Sequence, residues 1–320
     1  MKIAIITPSL NPGVMLKEAV DSVEVGRQQV CRNHPNVEIR HVIVDDGSDD
    51  RETLRLYEEL ERNKPHIEFA QSGMLRSGPA AARNVGIRKS EADWIGFLDA
   101  DDRVDPDGLE ALVALALKNP SAQWIFGDTE ERREDGGRTR KGVFAAPVVE
   151  AACGYAPTFI TPGALRRVLA GPPRMFLGGV LVRSRLLEKV GCFREDLIVG
   201  EDWYLTLSLT LYSGGWHVPV IVGVFRRGHS SLTQSSRNLR WSCVKPTVMA
   251  LLDRRFRSER RVLRWTLLTQ LVNLRQRAAN AGRLGRIVSV GGAAWLVAPE
   301  KPSLLRDMFG DLRRTWSKRQ

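Results

Sequence analysis

Cysteine is scarce: Cys31, Cys153, Cys192 and Cys243 are the four in a chain of 320 residues. They stand far apart with no paired spacing. That excludes a disulfide framework or a cysteine-based zinc site and reads as buried thiols of a cytosolic protein. Long apolar runs are also lacking. The longest uncharged stretch of interest, Ile287 to Ala298, is interrupted by Gly291 and Gly292. It falls well short of the ~20 apolar residues of a bilayer span, so no transmembrane helix is expected. The opening Met1 to Pro8 has too brief an apolar core for a secretory signal, and a cytoplasmic location is expected. No Gly-x-Gly-x-x-Gly follows the first apolar run, which argues against a dinucleotide-dependent dehydrogenase. No internal repeat is visible.

What is present is an ordinary globular balance. Apolar residues make up 43%, charged residues 27% and aromatics 7%, enough for one large core with a smaller lobe and unlike a disordered or fibrous chain. The net charge of +11 is unevenly placed. Residues 240–320 carry 18 basic and 5 acidic side chains, and residues 1–239 carry 30 and 32. The last quarter alone makes the protein basic.

The first hundred residues alternate strand and helix signals. Ile3 to Ile6, Val42 to Val44, Ile67 to Ala70 and Trp94 to Leu98 are short apolar runs of the kind that form buried parallel strands. Between them, apolar residues recur at helical spacing: Leu16, Ala19, Val20 and Val23, then Leu54, Tyr57 and Leu60. Ala80 to Ile87 reads as a short helix, and Pro106 opens another. The β-α-β-α order argues for a doubly wound, mostly parallel sheet. The charged, glycine-containing stretch 130–142 reads as an exposed hairpin or loop. A helix from Ser184 is expected to be capped by Gly191, and the chain is helical in character from Arg254 onward.

Two acidic clusters stand where apolar strands end: Asp45-Asp46-Gly47-Ser48 and Asp99-Ala100-Asp101-Asp102. In an open parallel sheet, ligands bind beyond the carboxyl ends of the strands. Neighbouring carboxylates repel, so a site holding several needs a compensating cation, and hard oxygens suit Mg²⁺ or Mn²⁺ bridging to phosphates. Either cluster alone reads as turn and cap residues; two at two strand ends read as a site.

The ordered strings Ile-Ile-Thr-Pro-Ser-Leu-Asn (5–11), Val-Ile-Val-Asp-Asp-Gly-Ser (42–48), Ala-Ala-Arg-Asn-Val-Gly (81–86) and Phe-Leu-Asp-Ala-Asp-Asp (97–102) together resemble the family-two glycosyltransferases. The resemblance spans roughly residues 1–235. It implies an α/β protein of the GT-A fold, with a Rossmann-like, mostly parallel central sheet flanked by helices. Residues 1–239 would be the catalytic domain and 240–320 a basic helical extension. It also implies an inverting enzyme that takes a sugar from a nucleotide-diphospho sugar, a UDP-sugar by default, using Mn²⁺ or Mg²⁺.

Residue by residue, the resemblance sets Thr7, Pro8 and Ser9 along the nucleotide and Asp46 at the base, with Asp45 beside it. Arg83 falls near the donor phosphates. Asp99 and Asp101 match the acids of the DxD motif around Ala100, and Asp101 and Asp102 would lie next to ribose and metal. Gly178 and Gly179 match a glycine loop near the donor; a buried strand with small residues for packing is an even alternative. Glu201 and Asp202 match the Glu-Asp motif, Asp202 as general base; outside that motif order they would read as an acidic helix start. His229 matches a histidine that completes the metal site beside Asp99 and Asp101. The alternation of Leu205, Leu207, Leu209 and Leu211 is strand-like where the family has a helix, and the helix is retained. Ser72 to Ser77 is longer and more basic than the usual loop, with Arg76 either on a phosphate or solvated.

The basic tail admits two readings: a surface lying on an anionic membrane, through arginines interleaved with Trp241 and Trp265, or a helical cap with solvated arginines. Expected partners are the nucleotide-sugar donor and a glycan, lipid-linked or small-molecule acceptor in cell-surface glycan assembly. No nucleic-acid motif is visible, and no nucleic acid is expected. The competing functions are a nucleotidyltransferase and a non-catalytic nucleotide-sugar-binding protein. The first would want a glycine-rich basic loop after the first strand; intact Asp99, Asp101 and Asp202 argue against the second.

Overall fold

The computed structural model describes residues 1–73, 76–133, 138–141, 156–171, 176–227, 244–301 and 303–317. Two compact units emerge: residues 1–169 with 173–234, and residues 170–172 with 235–320.

The larger unit opens with β1 (Lys2–Ser9), α1 (Met15–Asn33), β2 (Glu38–Asp45), α2 (Arg51–Asn63), β3 (Ile67–Gln71), α3 (Pro79–Lys89) and β4 (Trp94–Phe97). Next come β5 (Arg103–Val104), α4 (Pro106–Lys118), β6 (Trp124–Arg133), β7 (Arg138–Lys141), β8 (Thr158–Ile160) and α5 (Pro162–Leu169). A 3₁₀ turn (Leu177–Gly179) leads into β9 (Val180–Arg183), α6 (Ser184–Val190), α7 (Glu201–Leu209) and β10 (Gly215–Arg227). The strands form one sheet in the order β3-β2-β1-β4-β9-β6-β10-β5, with β7 on β6 and β8 on β10. The pairs β3–β2, β2–β1, β1–β4 and β6–β10 are parallel. Strand β9 runs antiparallel between β4 and β6. The sheet is therefore parallel in its first half and mixed beyond β4.

Burial on both faces explains the continuous apolar strands. Ile3 and Ile5 of β1 pack with Val23, Leu109, Leu112 and Val113 of α1 and α4. Ile6 faces α3, where a Cβ on Gly86 would lie 2.5 Å from the Ile6 Cγ2, so only glycine lets α3 approach so closely. That approach places Arg83 and Asn84 over the sheet's carboxyl edge. Asp50 and Asp105 cap α2 and α4 by accepting from Thr53 N and Gly108 N, each cap contributing about 1 kcal/mol.

The alternating leucines of 205–211 begin in helix α7, as the Glu-Asp motif implies. Trp203 to Leu209 are all buried, and a helix enclosed on every side shows no amphipathic period. Its small hydroxyls are satisfied within the helix, Thr206 Oγ1 donating to Trp203 O and Ser208 Oγ to Tyr204 O. Within the charged stretch expected to be exposed, β6 and β7 pair antiparallel, Glu130 with Lys141 and Glu131 with Arg140, and Glu130 is buried. Gly191 closes α6 at φ 89°.

The second unit is helical: α8 (Lys245–Leu252), a 3₁₀ segment (Arg254–Glu259), α9 (Arg260–Asn280), α10 (Leu284–Val297) and α11 (Ser303–Ser317). Leu267, Leu271, Leu274, Val290, Ala294 and Leu304 form its core. Arg275 is buried and is neutralised by Asp311 at 3.0 Å. Among the described residues, no helix is long and apolar enough to cross a membrane.

Candidate active site

The site lies where the parallel strands end. At the end of β2, Asp45 Oδ1 accepts from Ser48 N at 2.9 Å and from the Tyr57 hydroxyl at 3.2 Å, so it organises the turn. Asp46 is buried. Its Oδ1 accepts from Ser72 Oγ, Ser77 N and Ser77 Oγ, and its Oδ2 from Gly78 N at 2.8 Å. One carboxylate thus pins the loop that leads into α3. Arg76 joins the same turn at φ 57°, its N–H donating to Asp46 O at 2.8 Å and its exposed guanidinium pairing with Asp49 at 3.1 Å.

At the end of β4, carboxylate oxygens of Asp99, Asp101 and Asp102 lie within 4.8 Å of one another. Asp102 is fully buried; its Oδ1 accepts from Arg226 N at 2.9 Å, and among the described residues its Oδ2 has no hydrogen-bond partner. Burial first, then the charges of Asp101 and Asp99, push its carboxyl well above the usual carboxylate range. Three carboxylates this close, one of them with a buried oxygen left unpaired by the described residues, suit a hard divalent cation. Asp102 thereby joins Asp99 and Asp101 as a candidate ligand, whereas His229 lies outside the described residues. Ala100, between the acids, packs with Leu16 and Ile43.

Arg226 fastens this loop. Its Nε donates to Asp101 O, Nη1 to Glu18 Oε2 at 2.8 Å and Nη2 to Met15 O at 3.2 Å. The basic pair Arg226-Arg227 just before Gly228-His229 was the available sequence signal for it, since a strand-end arginine can reach acidic loops at the same sheet edge.

Arg83 connects the acidic loop to α7. It is 3% exposed, with Nη2 on Asp99 Oδ1 at 2.6 Å and Nη1 on Glu201 Oε1 at 2.8 Å. Its guanidinium also stands 5.3 Å from the Phe193 ring centroid. Gly200, at φ 79°, turns the chain so that Glu201 and Asp202 occupy the first turn of α7. Burial, reinforced by the charge of Asp202 and opposed by Arg83, pushes the Glu201 carboxyl up to about 7. Asp202 is only partly buried, with Oδ1 accepting from Trp203 N at 2.7 Å. The neighbouring Asn84 fixes the approach to α7: Nδ2 donates to Phe193 O and Glu195 Oε1, and Oδ1 accepts from Phe193 N.

The remaining predicted residues divide. Thr7 is buried, its hydroxyl 2.8 Å from His41 Nε2. Ser9 Oγ accepts from the Tyr57 hydroxyl at 2.7 Å, and Pro8 is half-buried. Gly178 and Gly179 are buried in the 3₁₀ turn before β9. A Cβ on Gly179 would meet Thr129 Cγ2 at 3.3 Å, and one on Gly223 would meet Gly178 O at 3.0 Å. At these positions glycine permits close packing against β6 and β10. Sequence reasoning did not reach His41, Tyr57 or Asn84 as supports. Only Asn84 sat inside a recognised string.

The sequence model described as glycosyl transferase family 2 matches residues 4–169. An uncharacterized glycosyltransferase of Haemophilus influenzae is 32% identical over 117 residues, which is 37% of this chain and 43% of that protein. The poly(ribitol-phosphate) beta-N-acetylglucosaminyltransferase TarS of Staphylococcus aureus is 30% identical over 115 residues, 36% of this chain and 19% of TarS. The chain thus spans less than half the length of these curated relatives. In fold, it aligns with TarS 1–349 in complex with UDP-GlcNAc at a TM-score of 0.66 and 17% identity, covering 100% of this chain and 92% of that one. A mannosyltransferase of Pyrobaculum calidifontis, in complex with GDP-Man and Mn²⁺, aligns at 0.55 and 17% identity, covering 99% and 86%. The architecture is that of GT-A structures.

Proposed function

The chain belongs to glycosyl transferase family 2, and from that footing we propose that it moves a sugar from a nucleotide-diphospho sugar, a UDP-sugar by default, to an acceptor hydroxyl with inversion. The observation that carries this reading is the Arg83 bridge: one buried guanidinium joins Asp99 of the acidic loop to Glu201 at the start of α7. It holds the donor-side acids and the Glu-Asp pair at one strand edge.

Asp202 is the general base. Its carboxylate takes the proton of the acceptor hydroxyl as that oxygen bonds to the anomeric carbon, while the bond from that carbon to the diphosphate oxygen breaks on the opposite face. The nucleoside diphosphate leaves with the electron pair, and one displacement inverts the centre. Glu201, held by Arg83, keeps the second carboxyl of the pair oriented away from that proton transfer. Asp99, Asp101 and Asp102 would hold Mn²⁺ or Mg²⁺, with His229 as a further ligand; the ion, when bound, neutralises charge growing on the diphosphate. Thr7, Pro8, Ser9 and Asp46 support the nucleotide from the β1 and β2 loops. Asp46 does so by fixing Ser72, Ser77 and Gly78 ahead of α3, and Gly178 and Gly179 by bringing backbone close to the donor. Residues 1–239 form the catalytic domain in this reading.

Acceptors are glycans, lipid-linked saccharides or small molecules in cell-surface glycan assembly. The enzyme works in the cytoplasm, in peripheral contact with the inner membrane face through residues 240–320. TarS is described by its acceptor polymer, and an anionic polymer end is accordingly among the acceptors to assay. The decisive experiment pairs a nucleotide-sugar panel with Asp202→Asn. The expected result is donor turnover that falls about 10²–10⁴-fold in the variant while donor binding persists. Turnover surviving in Asp202→Asn, or no binding of any nucleotide sugar with any divalent ion, would refute the assignment.

A further inference from the structure

The helical unit concentrates its charge. Arg254, Arg257, Arg260, Arg261 and Arg264 are all exposed and follow one another from the 3₁₀ segment into the first turns of α9. Beside them stand large apolar side chains that the unit's own core leaves outside: Trp265 is 54% exposed and Leu296 74%. Two contacts bring these groups to one place. Lys301 Nζ sits 4.5 Å from the Trp265 ring centroid. Arg264 Nη2 donates to the carbonyl of Val297, the residue after Leu296, at 2.7 Å. The amino end of α9 thus meets the carboxyl end of α10. Trp265, Arg264 and Lys301 lie together there, with exposed Leu296 next in the chain to the bonded Val297 and Arg260 and Arg261 one turn back on α9. Glu300 is exposed beside Lys301, and Glu259 is buried. Leu252, 72% exposed, stands just ahead of the arginine run.

We propose that this patch docks the protein on an anionic phospholipid bilayer. The positive charge alone would suit any polyanion. The apolar groups decide the partner. An indole and an isobutyl group with more than half their surface in water gain by entering the boundary between headgroups and acyl chains, and tryptophan is favoured there. A soluble polyanion offers them nothing to bury against. Arginine stems lie along such a boundary while their guanidiniums reach the lipid phosphates. The patch gives named residues to the membrane contact included in the proposed function. It rests on that reading only for its purpose, because every group involved belongs to the helical unit.

The test is cosedimentation of the full chain with phosphatidylcholine vesicles, with and without phosphatidylglycerol, in the absence of nucleotide. Binding is expected to the anionic vesicles and not to the neutral ones, and to fall in high salt. Arg257→Gln/Arg260→Gln/Arg261→Gln should weaken it on the order of a hundredfold, about fivefold per charge. Leu296→Ser should weaken it roughly tenfold without moving the thermal melt. Failure to sediment with anionic vesicles at low salt would overturn the proposal. So would binding that Leu296→Ser and Trp265→Ala leave unchanged and that soluble polyphosphate removes, which would mark a polyanion site instead. Nucleotide-sugar binding, measured separately without vesicles, reports on the transferase reading and is expected to be unchanged in the triple variant.

Discussion

Replacing Arg83 by methionine removes the one cation between Asp99 and Glu201 while keeping most of the apolar stem. Both partners are close, at 2.6 and 2.8 Å; the Asp99 side chain is 38% exposed, but Glu201 is 7% exposed, so at Glu201 water cannot substitute for the guanidinium. Breaking a buried pair by removing one member typically costs about 3–5 kcal/mol, because the other charge is left uncompensated. Glu201 already titrates near 7 with Arg83 present; without it the carboxyl moves higher still and is carried protonated at neutral pH. Adding Glu201→Gln removes the stranded acid. The double variant should therefore be more stable than the two single costs summed, by about 2 kcal/mol. Urea unfolding of the wild type, both single variants and the double variant measures this directly. Additive costs, or an Arg83→Met variant within about 1 kcal/mol of wild type, would show that the bridge behaves as a surface ion pair and that the reasoning is wrong.

Other consequences can be measured on the same preparations. His41 is buried, and burial lowers its pKa from 6.5 to about 3, so it stays neutral in the fold; its contribution is present above 6.5 and is lost as pH falls toward 3. Glu201 runs the other way, favouring the fold below its unfolded value of 4.5 and losing that contribution as pH rises through about 7. His41→Gln should therefore make acidification from pH 7 to 5 more favourable than in wild type by about 2 kcal/mol, read from melting curves at both pH values. Asp102→Asn removes a buried carboxylate that costs energy to ionise, so it should equal or exceed wild-type stability in EDTA. It should also bind Mn²⁺ at least about tenfold more weakly, as free-ion electron paramagnetic resonance would report. Asn84→Ala leaves Phe193 N and O unpaired and should cost about 1–3 kcal/mol in urea unfolding.

The first half of the sheet was legible because each strand is a continuous buried run and each helix between them keeps a periodic face. The acidic clusters were legible because they follow such strands directly. What the sequence could not show was partnership across distance. Arg83 and Glu201 are 118 residues apart, and Arg226 and Asp102 are 124 apart; no periodicity links such positions. Asp101 and Asp102 look alike as adjacent acids, yet Asp102 is enclosed and Asp101 only partly so. Asp46 matched a base contact by resemblance, and its four accepted hydrogen bonds show what else it does. The leucine alternation beginning in α7 misleads for a related reason: enclosure on all sides erases the pattern on which a periodic reading depends.

Charge at the sheet edge ties these pieces together. Among the described residues, Arg83 pairs with Asp99 and Glu201, and Arg226 binds Asp102 through its backbone N–H and the Asp101 carbonyl through its guanidinium, which it also shares with Glu18. Burial first, and neighbouring acids second, raise the pKa values of both Asp102 and Glu201. A diphosphate brought to the same edge adds negative charge and would be repelled by every ionised acid there. A divalent ion seated on the Asp99–Asp102 cluster would oppose both effects. It would favour the ionised form of the acids that hold it and would give the diphosphate an attractive counter-charge. Cation and donor are therefore expected to bind more tightly together than either does alone.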